Sequence, residues 1–365
     1  MDSQKNGKTV DVYFLPTKSS EQDEEKLSST KSFWHVDKEM LRFKIHYFLY
    51  VGGIAAGIPY VIVLAKDRLG VSASSLGVAL NAIFTLSDTA CNESIQKYGG
   101  SFGQQRLWGG IGWGTVAPLA GFINDYTDGY LASYILMGVM MVLFLINMST
   151  MDLVKPHFSK NILKDVGTVL KSKDFLIFEA MVFINGLGTV MIWFYLIWFL
   201  NSIGGSELLC GLSMTVQSFV GVIPFMFFSD YIIKKLGHFN ILIVGLAGYT
   251  TRFLWYSYLQ NPWMVLPVEF LHGITYGLYY PTLASYAKLT AKPGTEATTQ
   301  AIIFSTHEGL GSGIGCVISG IAFDYFGGHQ TYFYSSMICL SGAFMALIYS
   351  LHLQRRKGTI QLATE

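Results

Sequence analysis

Ionisable side chains interrupt several long apolar stretches of this sequence. In the second half they are Arg252, Glu269, His272, His307 and Glu308. Each costs roughly 2.5–3.5 kcal/mol to place at the centre of a membrane-spanning helix, so each is a functional candidate. An arginine, a histidine and a carboxylate close together in a low-dielectric interior can bind and release a proton, because their protonation depends on solvation. The alternative is a structural network of ion pairs that orders the helices.

The first half contains a second combination of this kind, in the string that runs from Gln104 to Gly114. Arg106 begins an apolar stretch, Trp113 follows two turns later, and Asp88 precedes Arg106 by eighteen residues on a short helix. If the two helices pack antiparallel, the carboxylate and the guanidinium meet. Such a pair beside an indole suits a hydroxyl-rich ligand, because charged groups bond hydroxyls and the indole stacks on an apolar ring face. The alternative is an interfacial anchor, in which Arg106 reaches towards the membrane surface.

The apolar segments that carry these residues are predicted to be membrane-spanning helices. The chain has 365 residues, of which 51% are hydrophobic and only 13% charged, too few charges to cover a water-facing globule. About 20 apolar residues cross the hydrocarbon core as a helix. Nine segments meet this length: 44–65, 105–123, 130–148, 175–197, 208–228, 239–258, 263–286, 298–323 and 331–351. A tenth, 76–86, is shorter. The predicted fold class is therefore all-α, a polytopic membrane protein.

Depth along these spans predicts which charges meet. Arg252 and Glu269 each lie about six residues inside the outer ends of neighbouring spans, so the two can pair. His272 is one turn deeper on the face of Glu269. His307 and Glu308 lie near the middle of their span.

The distribution of lysine and arginine predicts the orientation. Connections on one side of the predicted membrane carry twelve positive charges in the second half and the C-terminal tail, and those on the other side carry none. Positive loops face the cytoplasm. Both termini are then cytoplasmic, provided that the segment around 76–90 also crosses.

An internal repeat divides the chain into two related bundles. Gly110, Gly112 and Gly114 recur as glycines with a constant offset of 199 residues, and an Asp-Tyr pair follows each copy. The glycines are typical of close helix packing, and the two copies are typical of transporters. Lys44 to Gly110 is 66 residues, whereas Asp174 to Gly309 is 135, so the first bundle is short by about two spans. We predict the following parts: a disordered cytoplasmic tail 1–43, a short bundle 44–148, a cytoplasmic linker 149–173, a six-helix bundle 174–352 and a tail 353–365.

Several functional classes are disfavoured. A net charge of +1 offers no basic face for nucleic acid. His307-Glu308 lacks the second histidine of a zinc protease motif, and no nucleophile elbow or phosphate loop is present, so we predict no enzyme, no metal and no cofactor. The four cysteines lack the spacing of a metal-binding site, so we predict that they are small residues that fill space between helices.

Three parts of the sequence resemble the major facilitator superfamily, in the branch of major facilitator superfamily domain-containing protein 6 and its relatives. They are Gln105–Gly114, Pro293–Gln300 and His307-Glu308-Gly309. That branch is similar to the oligosaccharide/proton symporters. The resemblance implies that Arg106 and Trp113 bind a sugar and that Asp88 pairs with the arginine. It implies proton coupling for Arg252, Glu269 and His272, although here the carboxylate precedes the histidine. It also implies twelve spans.

The expected function is secondary transport of a small polar solute that is sugar-like or nucleoside-like. The expected partners are this solute, protons as a candidate coupled ion, and the lipid bilayer in which the protein lies. The alternative is a non-transporting truncated isoform or a receptor-like membrane protein that keeps the fold.

Overall fold

Helices form all of the regular structure in the part of this computed structural model that can be described. That part comprises residues 37–64, residues 87–151 without 89, 92, 93, 96 and 128, residue 167 and residues 169–364. An apolar chain in lipid must satisfy its backbone hydrogen bonds within each segment, which favours helices. These residues belong to one compact unit that begins at Asp37.

Ten helices follow one another along the described chain, in addition to short helical turns between residues 87 and 98. In order they are α1 (Lys38–Leu64), α2 (Phe102–Thr127), α3 (Leu131–Ser149), α4 (Lys173–Ser202), α5 (Glu207–Phe227), α6 (Ser229–Leu236), α7 (His238–Ser257), α8 (residues 262–290), α9 (residues 296–326) and α10 (residues 328–364).

Every one of the nine predicted segments coincides with a helix, but the count of nine spans stays a prediction. Within the described residues, four helical stretches are long and apolar enough to cross a membrane: α3, α4, α5 and the continuous stretch Thr298–Leu351 that holds α9 and α10. Segment 76–86 lies outside the described residues. Helix α1 begins at Lys38 and α10 continues to Thr364. The predicted division of the chain into tails, bundles and linker stays a prediction.

A single glycine separates the last two helices. Gly327 has φ +77°, a left-handed conformation that side chains with a Cβ rarely adopt, and the helical path is broken there. The repeat's second Asp-Tyr pair therefore lies just before the break between α9 and α10.

Matching glycines bring helices into close contact within each half of the molecule. A Cβ on Gly112 of α2 would lie 2.5 Å from the carbonyl oxygen of Phe48 on α1. A Cβ on Gly311 of α9 would lie 2.7 Å from the carbonyl oxygen of Phe183 on α4. These two glycines are 199 residues apart, so the repeat has a direct structural meaning: the same position packs on the first helix of each half.

Other glycines of α2 pack against α5 in an antiparallel arrangement that runs the length of both helices. Gly103 lies against Met226 at one end, and Gly114 lies against Ser218 near the middle. At the other end a Cβ on Gly121 would lie 2.5 Å from the carbonyl oxygen of Glu207. The long contact between α2 and α5 is therefore one between the two halves.

Four of the described helices contain a π-helical segment, in which the chain carries an extra residue relative to an α-helix. These segments are Met191–Tyr195 in α4, Gln217–Val222 in α5, Gly273–Leu278 in α8 and Ser305–Gly311 in α9. Such segments occur mostly as local interruptions of α-helices and are frequent at functional sites. Here three of them contain the buried polar residues Gln217, Thr275 and His307.

Candidate solute and proton site

The centre of the first cluster is a buried ion pair between Arg106 and Asp88. Nη1 of Arg106 donates to Oδ1 of Asp88, and the two side chains are 3% and 0% exposed. Tyr47 on α1 donates to the same carboxylate oxygen at 2.8 Å. Nη2 of Arg106 donates to the hydroxyl of Tyr276 at 3.1 Å, and the guanidinium lies 4.8 Å from the ring centre of Tyr280. The arginine thus connects α2 to α8 of the other half.

Two indoles stand beside this ion pair. Trp113 follows Arg106 by two turns of α2, and its ring centre lies 5.4 Å from that of Trp193, with an angle of 37° between the rings. Trp193 belongs to the π-helical segment of α4, and its ring is 6.0 Å from that of Tyr276. Aromatic rings contributed by both halves therefore form one wall.

Arg106 and the two indoles border a small cavity between the halves. It measures about 30 Å³, and its lining includes Arg106, Trp113, Trp193, Ser218, His272 and Tyr276. A buried water needs roughly 10–15 Å³ of such space, so the cavity has room for about two waters. A sugar or a nucleoside enters only if the two halves separate or these side chains rearrange.

A second cluster lies on α7 and α8, with an ion pair between Arg252 and Glu269. Nη2 of Arg252 is 2.5 Å from Oε2 of Glu269, and both side chains are fully buried. The carboxylate also accepts from the amide of Gln217 at 2.7 Å and from the hydroxyl of Tyr256. Three donors, one of them a guanidinium, therefore share one buried carboxylate.

His272 connects this second cluster to the cavity. Its Nδ1 lies 2.8 Å from Nη1 of Arg252. Arginine can only donate, so Nδ1 accepts and the hydrogen of the neutral ring is assigned to Nε2. The ring also stacks on Tyr276, with 5.2 Å between ring centres and 9° between planes. Tyr276 in turn accepts from Arg106, so a continuous series of contacts joins the two arginines.

His307 and Glu308 form a separate cluster in the π-helical segment of α9. Nδ1 of His307 is 3.2 Å from Oε1 of Glu308. Nε2 of His307 lies 3.0 Å from the hydroxyl of Thr189 and 3.1 Å from Oδ1 of Asn185, both on α4. The hydroxyl of Thr189 is also 2.9 Å from that of Tyr249, one turn before Arg252. The five predicted charge-network residues therefore fall into two groups rather than one.

Several neutral residues of these clusters were absent from the sequence prediction. Trp193, Tyr276, Tyr280 and Gln217 carry no charge, so the cost of placing a charge in a membrane does not single them out. Three of them lie in π-helical segments, the fourth comes shortly after one, and no simple sequence pattern marks such segments.

The family profile described as "MFS_1 like family" matches residues 69–334 of the chain. The uncharacterized transporter YwbF of Bacillus subtilis (strain 168) is 26% identical over 285 residues, which are 77% of this chain and 70% of that protein. Major facilitator superfamily domain-containing protein 6-like protein B of Xenopus laevis is 27% identical over 47% of this chain, but this covers only 28% of its own length.

Maltose permease of Geobacillus stearothermophilus is 23% identical over 80% of this chain and 74% of its own length. The crystal structure of the nucleoside transporter NupG superposes with a TM-score of 0.55 at 14% identity, over 84% of this chain and 90% of that one. At this identity the superposition shows a shared fold.

The fold, the apolar helices and these relatives together define an integral membrane protein of the transporter type. The chain belongs to the MFS_1 like family of the major facilitator superfamily, in the branch of major facilitator superfamily domain-containing protein 6.

Proposed function

We propose that this protein is a secondary transporter that moves a small polar solute across the membrane by alternating access. The observation that carries the proposal is that Arg106, which is paired with Asp88, lines a cavity between the two halves together with two indoles. Sites of this kind near the middle of the membrane, with two repeats rocking about them, are general in secondary transporters.

The chemistry of the site favours a solute that combines hydroxyl groups with a flat apolar face. Arg106 supplies hydrogen-bond donors, Asp88 supplies an acceptor, and the indoles of Trp113 and Trp193 supply stacking surfaces. Sugars and nucleosides both have this combination. The names of the maltose permease and of the nucleoside transporter NupG support the same two classes.

We further propose that transport is coupled to protons. The candidates are Arg252, Glu269 and His272 in one cluster and His307 and Glu308 in the other. In the same proposal, residues 44–148 and 174–352 form the two bundles, and both termini face the cytoplasm.

The test is uptake by proteoliposomes that contain the full chain, with radiolabelled maltose, sucrose and uridine as probes. We expect an inward proton gradient to accelerate uptake of one class. Arg106→Ala should reduce that uptake by about tenfold or more, since it leaves Asp88 buried without its cation, at a cost of several kcal/mol. Glu269→Gln should reduce the acceleration by the gradient. Normal transport by both variants would contradict the site assignment.

The alternative, a non-transporting protein that keeps the fold, is favoured by the short first half that the repeat reveals. Uptake by a version lengthened by about two spans, and none by this chain, would establish it.

A further inference from the structure

Tyr276 on α8 contacts Arg106 on α2 across the boundary between the two halves. Nη2 of Arg106 donates to the hydroxyl of Tyr276 at 3.1 Å. A guanidinium has donors and no acceptor, so the tyrosine oxygen accepts, as the oxygen of a solute hydroxyl group would. In this conformation a hydroxyl of the protein therefore makes the kind of hydrogen bond to Arg106 that the proposed solute would make.

Three aromatic rings position the hydroxyl of Tyr276. Its ring is stacked on that of His272, one turn earlier in α8, with 5.2 Å between the ring centres and 9° between the planes. It lies 4.4 Å from the ring of Tyr280, one turn later, and 6.0 Å from that of Trp193 on α4. All three neighbours belong to the second half, so the hydroxyl stays with that half when the halves separate.

The hydrogen bonds of Arg106 differ in whether they cross between the halves. Asp88, its ion-pair partner, lies in the first half, and so does Tyr47 on α1, which donates to Asp88. The hydrogen bond to Tyr276, in contrast, joins the two halves at the wall of the cavity. A sugar or a nucleoside does not fit into about 30 Å³, so its entry requires that this wall opens.

Burial makes an acceptor for Arg106 important whenever the cavity closes without a solute. The Arg106 side chain is 3% exposed, and a guanidinium keeps its charge at any physiological pH. A buried charge is costly unless its hydrogen-bonding groups have partners. The hydroxyl of Tyr276 supplies one such partner in the closed conformation.

We propose that Tyr276 is a positioning residue that replaces the solute in the empty protein. Its hydroxyl binds Arg106 when the halves close over the empty cavity, and a hydroxyl group of the solute displaces it when the cavity is loaded. This inference rests on the proposed function for its role in transport. It implies that the hydroxyl is needed for closure of the empty protein and not for closure of the loaded protein.

Net uptake and exchange distinguish these two steps. Net uptake requires the return of the empty protein, whereas exchange against the same unlabelled solute inside the vesicle uses only the loaded protein. The assay uses proteoliposomes with the full chain and whichever of maltose, sucrose and uridine the unmodified protein takes up. Because Tyr276→Phe removes a hydrogen bond to a charged group, it should slow net uptake by about tenfold and change exchange by less than about twofold.

The matched control is Tyr279→Phe on the same helix. The hydroxyl of Tyr279 is buried and has no hydrogen-bond partner among the described residues, so its removal should leave both rates unchanged. Equal slowing of net uptake and exchange by Tyr276→Phe would show a general structural role or a direct contact with the solute and would overturn the proposal. Unchanged net uptake in Tyr276→Phe would overturn it as well.

Closure of the empty cavity can also be measured without any solute. Ser218 lines the same cavity, and Ser218→Cys in lipid nanodiscs, which leave both membrane faces open, can be labelled with a maleimide. Labelling is measured above that of the same protein with Ser218 retained. Adding Tyr276→Phe should accelerate it by several-fold, on the order of the loss of one hydrogen bond, and adding Tyr279→Phe should not.

The two assays separate a failure of this inference from a failure of the proposed function. Equal labelling rates with and without Tyr276→Phe would overturn the inference. If the unmodified protein takes up no probe, the proposed function fails, but the labelling rates still decide whether Tyr276 holds the empty cavity closed.

Discussion

The two arginine–carboxylate pairs place full charges in an interior that offers almost no water. Arg252 and Glu269 are completely buried, and Arg106 and Asp88 nearly so. A buried pair is stable only if its members also satisfy their other hydrogen-bonding groups, because the loss of hydration is large. A tyrosine hydroxyl contributes to this at each site: Tyr256 donates to Glu269, and Tyr47 donates to Oδ1 of Asp88, whereas Oδ2 of Asp88 has no hydrogen-bond partner among the described residues.

Breaking one member of the Arg252–Glu269 pair should therefore cost more than removing both. Arg252→Met leaves a buried carboxylate without its cation, and we expect a loss of about 3–5 kcal/mol in the free energy of unfolding. The double variant Arg252→Met with Glu269→Met should recover a large part of this loss. Denaturant unfolding in mixed micelles measures both values. Additive losses in the double variant would contradict the interpretation.

Trp193 gives a prediction at the solute site that the family resemblance does not supply. Its indole lies between Trp113 and Tyr276, one from each half. Trp193→Ala removes a stacking surface, so we expect the KM for the transported probe to rise by about tenfold. Trp198→Ala is a matched control, since this indole packs instead on Tyr195 and Phe323. An equal effect of both substitutions would indicate a general packing defect.

At the scale of the helices, the close packing of one helix on another depends on glycines at positions that have no room for a side chain. Gly112 lies against the backbone of α1, whereas Gly138 on α3 has no atom of the described chain within 4 Å of its would-be Cβ. Both glycines are helical, so alanine should improve the local helix propensity of each by a similar amount.

The substitution Gly112→Ala should therefore destabilise the protein, and Gly138→Ala should not. The added methyl group at Gly112 meets the carbonyl oxygen of Phe48, and the cost of such overpacking is typically about 1–3 kcal/mol. Thermal unfolding followed by circular dichroism in detergent compares the two variants. A fall in the midpoint for Gly138→Ala as large as that for Gly112→Ala would show that the close approach is unimportant.

The sequence alone predicted where the helices lie, but it predicted only some of the residues in the clusters. Apolar length locates a helix in lipid, and the ion pairs of Arg106 and Arg252 follow from depth and spacing. The separation of His307 from Arg252 was not predictable, because π-helical segments rotate the residues that follow them and leave no compositional mark. The partners Trp193 and Tyr276 were missed because uncharged aromatic residues are common in any membrane helix.

At the scale of the whole molecule, the antiparallel contact between α2 and α5 links the two halves at both ends of these helices. Gly103 is near one end of this contact, and Gly121 is near the other. The cavity lies between these ends, beside Ser218. In this conformation α2 and α5 approach closely on both sides of the cavity.

Substitution of either glycine should open the contact between α2 and α5 at one end, and the two substitutions should open opposite ends. Gly121→Ala separates α2 from α5 at the Glu207 end, whereas Gly103→Ala separates them at the Met226 end. A cysteine at the cavity, Ser218→Cys, reports the result through labelling by a membrane-impermeant maleimide applied to one side of oriented vesicles. We expect each variant to increase labelling by several-fold from its own side only.

The matched control is Gly313→Ala, because this glycine has no described atom within 4 Å of its would-be Cβ. Labelling should stay at the level of the Ser218→Cys parent. Increased labelling from both sides by either Gly103→Ala or Gly121→Ala would indicate general loosening and would contradict a rocking motion about the cavity.

The π-helical segment Ser305–Gly311 affects which deletions the helix α9 can tolerate. A π turn holds one residue more than an α turn, so removing a single residue there restores a regular helix instead of breaking it. Because the wider π turn already absorbs the extra residue, such a deletion leaves the helix before the segment and the helix after it in the same relative orientation. The side chains inside the segment would change direction, so His307 would lose its present contacts with Asn185 and Thr189. A family member one residue shorter at this place should therefore differ in how it handles protons while keeping the same helices.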